Sequence, residues 1–86
     1  MPAPPPLPEW VHDRRRTHGR RIQDWRRFRG FTQEQTAERA GLSLSSVQRI
    51  EAGGEIRFSA VLLVAEALGV PIGSLLSRDP GAPDAE

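Results

Sequence analysis

Glycines at positions 30, 41, 53, 54 and 69 cut the middle of the chain into short pieces, and this punctuation restricts the fold more than any other feature. Glycine reaches the left-handed backbone that ends a helix without a Cβ penalty, so each of these positions reads as a helix stop. The pieces between them carry helical rather than alternating apolar spacing, and no strand pattern or internal repeat appears.

Residues 20–29 read as a first helix, with Ile22, Trp25 and then Phe28 or Arg29 along one stripe and Gly30 as the stop. Thr32-Gln33-Glu34-Gln35 is a capping box, with Thr32 as N-cap and Gln35 three residues on. It opens a second helix to about Ala40, with Thr36, Ala37 and Ala40 on one face, ended by Gly41. Only Leu42 and Ser43 then intervene before a third helix, capped by Ser43 and running through Ala52. On it Val47 and Ile50 face inward, while Leu44, Ser45, Gln48 and Arg49 face outward. After Gly53-Gly54, apolar residues at 58, 61, 62, 65 and 68 predict a core-facing fourth helix that Gly69 terminates. Pro71 starts a last short turn carrying Leu75 and Leu76.

Five prolines in residues 1–8 predict an extended or disordered tail. Pro8 and Glu9 suit the opening of a short helix, but Gly19 interrupts the pattern and leaves open whether that piece joins the next. The expected organisation is a tail or arm over 1–17, a domain over 18–77 and a disordered tail over 78–86.

With 86 residues the chain holds one domain at most, and such a domain buries only about 60% of its unfolded surface, too little for a deep substrate pocket. The absence of cysteine removes disulfides, thiol nucleophiles and cysteine zinc sites. No apolar run approaches the roughly 18 residues of a membrane span, and the proline-rich start has no signal-peptide pattern, so a cytoplasmic location is expected. Charge is uneven. Residues 1–29 carry eight arginines against Glu9, Asp13 and Asp24, whereas residues 30–86 carry four arginines against eight acids. There is no lysine, and an arginine cluster forks readily onto phosphate or a guanine edge. A solvated basic helix face is the plainer reading of the same cluster.

Thr32 through Gly53 is the informative block: a capped short helix, a glycine corner and a second helix with a polar outer face. Ala37 and Ala40 leave room for Val47 and Ile50 to approach closely. Ser45, Ser46, Gln48 and Arg49 are short or polar enough to enter a major groove about 12 Å wide. The stretch GRRIQDWRRFRGFTQEQTAERAGLSLSSVQRIEAGG, followed by AEALGVPIGSLL, resembles the Cro/C1-type (XRE) helix-turn-helix family of bacterial and phage regulators over about residues 18–77.

That resemblance implies a compact, all-α, five-helix, lambda-repressor-like domain that binds double-stranded DNA. It implies base contacts from Leu44, Ser45, Gln48 and Arg49, with Arg49 forking onto guanine and Gln48 bonding adenine. It implies a phosphate contact from Gln33 at a helix N-terminus, and a structural ion pair between Arg26 and Glu51. Thr32, Ser46, Arg57 and the run Arg14, Arg15, Arg16 are further phosphate candidates, the run acting as a basic arm. Thr36 stands where the family usually has leucine, which predicts a looser core there. Arg57 stands where a capping serine is common, which predicts Ser59 as the cap of the fourth helix.

The remaining features carry less. Trp25 is expected in the core, and Trp10 is assigned neither to core nor to surface. His12 and His18 have no third ligand at metal spacing, so no metal or other cofactor is expected. Ser43, Ser45 and Ser46 lack a nearby histidine, and Glu34, Glu38 and Glu51 are spaced as helix surface or structural partners, so no enzyme activity is expected. The expected function is a transcription regulator, a repressor rather than an activator, binding as a homodimer with half-sites about 34 Å apart. Val70, Leu75 and Leu76 are the expected dimer contacts. With no effector domain, no small-molecule ligand is expected, and no membrane partner. One alternative is an antitoxin that binds a toxin and its own promoter; another is a protein-interaction module that has lost DNA binding.

Overall fold

The computed structural model describes residues 3–81, and the ends of the expected tails, 1–2 and 82–86, lie outside the described residues. Five helices follow in order: α1 (Glu9–Phe28), α2 (Gln33–Ala40), α3 (Leu44–Glu51), α4 (Phe58–Leu68) and α5 (Ile72–Ser77). Among the described residues there is no strand. The all-α five-helix architecture is as expected.

The first helix corrects the expected boundary at residue 17. It begins at Glu9 and runs straight through Gly19, so Arg14–Arg16 lie on a helix and not on an arm. Glycine inside a helix costs about 1 kcal/mol relative to alanine. Here packing compensates: Gly19 is buried against the end of α3, and a Cβ there would lie 2.6 Å from the Ile50 carbonyl oxygen and 2.7 Å from that of Glu51. The glycine that reads locally as a break is a contact point between two helices.

The other stops fall where the punctuation places them. Gly41 and Gly69 adopt left-handed backbone, with φ of 70° and 67°, and cap α2 and α4. Both reciprocal bonds of the Thr32–Gln35 capping box are present, and Ser43 accepts a bond from the Ser46 amide at the start of α3.

The core is assembled from α1, α2, α3, α4 and α5 around Val64, which has no exposed surface. Ile22, Ala40, Ile50, Val61, Ala65, Leu68, Val70 and Leu75 join it. Thr36 lies on the inner face of α2. It is fully buried, and its hydroxyl donates to the Thr32 carbonyl at 2.9 Å, so the polar atom is satisfied inside the helix.

On α4 the buried stripe is Val61, Val64, Ala65 and Leu68, with Ala60 and Ala67 beside it, and this corrects the expected one. Phe58 is 63% exposed and Leu62 43%. The helix is apolar nearly all round, so spacing alone does not select its inner face. Ser59 lies within α4, and Arg57 is the N-cap residue without a side-chain bond, which corrects the assignment of Ser59 as cap. Val70 and Leu75 are core residues, not surface ones; of the expected dimer contacts only Leu76 remains half-exposed.

They are buried because α5 and the residues after it lie along α1. The His18 ring and the Arg21 guanidinium both bond the Leu76 carbonyl, at 3.0 and 3.3 Å. The Trp25 indole donates to the Arg78 carbonyl at 2.8 Å. Trp25 is accordingly half-buried at the core edge, in an edge-to-face contact with the exposed Phe28 at 5.9 Å.

Candidate nucleic-acid interface

The pair α2–α3 is held by a short corner and a small-residue contact. Gly41 turns the chain, the Leu42 amide donates back to the Ala37 carbonyl at 2.9 Å, and Ser43 restarts the helix. Ala37 and Ala40 are buried on α2, and Val47 and Ile50 are 1% and 3% exposed on α3. With those two inward, the helical period places Ser45, Gln48 and Arg49 on the outer face, where all three are exposed. Leu44, the fourth expected base contact, is half-buried at the rim of this ridge.

Arg49 has no hydrogen-bond or ion-pair partner among the described residues, so its guanidinium is available to a ligand. Gln48 donates to the Gln33 side-chain oxygen at 3.5 Å, and Gln33 in turn donates to Glu51 Oε1 at 3.2 Å. The phosphate candidate on α2 is thereby tied to a base candidate on α3, an arrangement that spacing does not reveal.

Glu51 is the anchor of this network. Arg26 Nε and Nη2 fork onto its two carboxylate oxygens at 2.6 and 3.1 Å, and Arg26 Nη1 reaches the Phe31 carbonyl at 2.8 Å. The side chains are 9% and 3% exposed, so the expected Arg26–Glu51 pair is present and nearly dry. The Glu51 charge is therefore met from inside and does not offset Arg49 at the surface.

The other phosphate candidates divide into two groups. Thr32 is exposed at the start of α2, its hydroxyl oxygen accepting from the Gln35 amide at 3.1 Å. Ser46, half-buried, shares a hydroxyl contact of 2.9 Å with Ser43. Exposed Arg57 shares an open hollow with Ser46, Arg49, Ser59 and Glu55, directly beside the ridge. These stand with Gln33 around α3.

The arginine run does not act as a unit. Arg14 stacks on the Trp10 ring at 5.9 Å, and Arg15 bonds His12 Nδ1 at 2.7 Å on another face of α1. The Arg16 backbone sits against Gly53 at the end of the helix-turn-helix. Its charge is engaged by Asp13 and by Glu9, and those bonds raise its already high pKa. His12 and His18 make separate contacts, and no three His, Asp or Glu side chains converge among the described residues.

The Helix-turn-helix family profile matches residues 22–75. Among solved structures, the chain is similar to the restriction-modification controller protein C.AhdI from Aeromonas hydrophila, with 30% identity and a TM-score of 0.67 over 70% of this chain and 92% of that one. It is also similar to the clp gene regulator ClgR from C. glutamicum, with 25% identity and a TM-score of 0.68 over 84% of this chain and 87% of that one. No curated protein matches the sequence.

Proposed function

Because the chain belongs to the Cro/C1-type helix-turn-helix family of DNA-binding transcription regulators, we propose that it is a repressor that binds a pseudo-palindromic operator as a homodimer. The observation that carries this reading is the ridge Ser45, Gln48 and Arg49, exposed together, with Arg49 unpaired and the neighbouring Glu51 charge taken up by Arg26. Arg49 forks onto guanine O6 and N7 in the major groove, and Gln48 bonds an adenine edge once it exchanges Gln33 for DNA. Leu44 borders the ridge and packs on a thymine methyl.

Gln33, Thr32, Ser46 and Arg57 surround that ridge and hold phosphates, which fixes register without reading sequence. Gln33 adds the free amides of a helix N-terminus, where the dipole favours an anion. Repression follows from occupancy, since a bound dimer covers its operator. The two similar proteins, a restriction-modification controller and a gene regulator, support a regulatory role for this body of helices.

Genome-wide binding tests the proposal. A two-fold symmetric motif with half-site centres about 10 base pairs apart, at promoters whose transcription rises on deletion, is the expected result. Binding without a recurrent motif, or transcription that falls on deletion, would reject the repressor.

A further inference from the structure

Gly53 and Gly54 follow α3 in tandem, and the structure gives them different reasons to be glycine. Gly53 has a φ of 81°, in the left-handed region that strains a side chain. A Cβ there would also lie 2.8 Å from the Cα of Arg16, on the turns of α1 that precede the family match at Ile22. Gly54 does not share the positive φ, so that angle does not call for glycine. What excludes a side chain is Arg49. A Cβ at position 54 would lie 2.6 Å from Arg49 Cγ and 3.5 Å from its Cδ, with the Arg49 carbonyl oxygen at 3.2 Å.

Cγ is the second carbon of the arginine stem, so its place is set by the first side-chain torsion. Bending the guanidinium end does not clear it, and a methyl at 54 would drive the whole side chain into another rotamer. The Gly54 amide donates to the Arg49 carbonyl at 2.9 Å, which pins the loop to the residue whose stem it accommodates. On the far side of the same loop the Arg16 backbone backs Gly53. An exposed arginine without a polar partner otherwise samples many rotamers, and that freedom is lost when the guanidinium docks. A stem already held in a slot loses less.

We propose that Gly54 is a positioning residue for base readout: its bare Cα leaves the slot in which the Arg49 stem lies, and this aims the guanidinium toward the major-groove edge. The inference rests on the reading of Arg49 as a guanine contact and deepens it. Part of the sequence preference then belongs to a residue that touches no base. The competing use of a bare loop is close approach to a phosphate, which carries no sequence preference.

Titration of operator, single-base operator variants and unrelated DNA with full-chain Gly54→Ala, Arg49→Ala and the double variant tests it, beside thermal melts of each. Gly54→Ala should lose about 3–10-fold on the operator and keep wild-type affinity for unrelated DNA. The loss should fall on the base pair that Arg49→Ala also relaxes. In the double variant it should vanish, leaving the affinity of Arg49→Ala alone, because the methyl then has no stem to displace. Any drop in melting temperature should shrink in the same background. Wild-type base preference in Gly54→Ala, beside a relaxed Arg49→Ala, would overturn the positioning role and leave the guanine contact standing. A loss equal on operator and unrelated DNA, or one that persists undiminished in the Arg49→Ala background, would also overturn it and assign Gly54 to the phosphates or to the loop itself. Unaltered base preference in Arg49→Ala would overturn the guanine contact and this inference together.

Discussion

Arg26 on α1 grips Glu51 at the end of α3 through two hydrogen bonds of 2.6 and 3.1 Å, twenty-five residues apart in sequence and almost without solvent. This fork ties the end of α3 to α1. Removing one partner strands a buried charge, which typically costs about 3–5 kcal/mol. Arg26→Ala and Glu51→Ala should each lower unfolding free energy by that order in urea titrations. Arg26→Met with Glu51→Leu should cost less than either single change, because both charges leave together.

Gly19 and Gly73 both lie within helices, yet alanine should act on them with opposite sign. At Gly19 the new methyl meets backbone carbonyls of α3, which cannot give way without moving that helix. At Gly73 a Cβ would have nothing within 4 Å. Thermal melts should show Gly19→Ala destabilised by about 1–3 kcal/mol and Gly73→Ala stabilised by about 0.5–1 kcal/mol.

Helix ends are legible from sequence where the signal is local. Thr32 and Gln35 cap each other within four residues, and Gly41 and Gly69 need only their own backbone angles, so α2 and α3 emerge with their outer ridge correctly facing solvent. The Arg26–Glu51 pair came from family resemblance rather than from spacing. Gly19 defeats local reading because its justification is a carbonyl of residue 50. Val70 and Leu75 look available from sequence because nothing nearby announces that His18 and Arg21 will bond Leu76, more than fifty residues away. On α4, Phe58, Val61, Leu62, Leu63 and Val64 are all apolar, so the inner face is chosen by α2 and α5 rather than by the helix itself.

Gln33 ties the start of α2 to the ridge through Gln48, and with the proposed phosphate role its loss should be felt on every DNA sequence. Gln33→Ala should weaken specific and non-specific binding by a similar factor. Because the glutamine amide carries no charge, the salt slope, about 0.9 per phosphate neutralised, should change little. A loss confined to one operator in fluorescence anisotropy titrations would contradict the phosphate role.

Arg57, exposed beside the ridge, differs from Gln33 in being a full charge. Arg57→Ala should reduce the slope of log K against log salt by about one and leave base preference intact. Titration at several salt concentrations reads both quantities.

The central claim is that Arg49 meets guanine in the major groove, and methylation interference addresses it directly. Operator DNA methylated at guanine N7 is offered to wild-type protein and to Arg49→Ala. One guanine in each half-site should block the wild type when methylated, whereas the variant, about 1–3 kcal/mol weaker on unmodified operator, should be indifferent at that position. Wild-type binding insensitive to N7 methylation throughout the operator, or the same interference pattern in Arg49→Ala, would contradict the account.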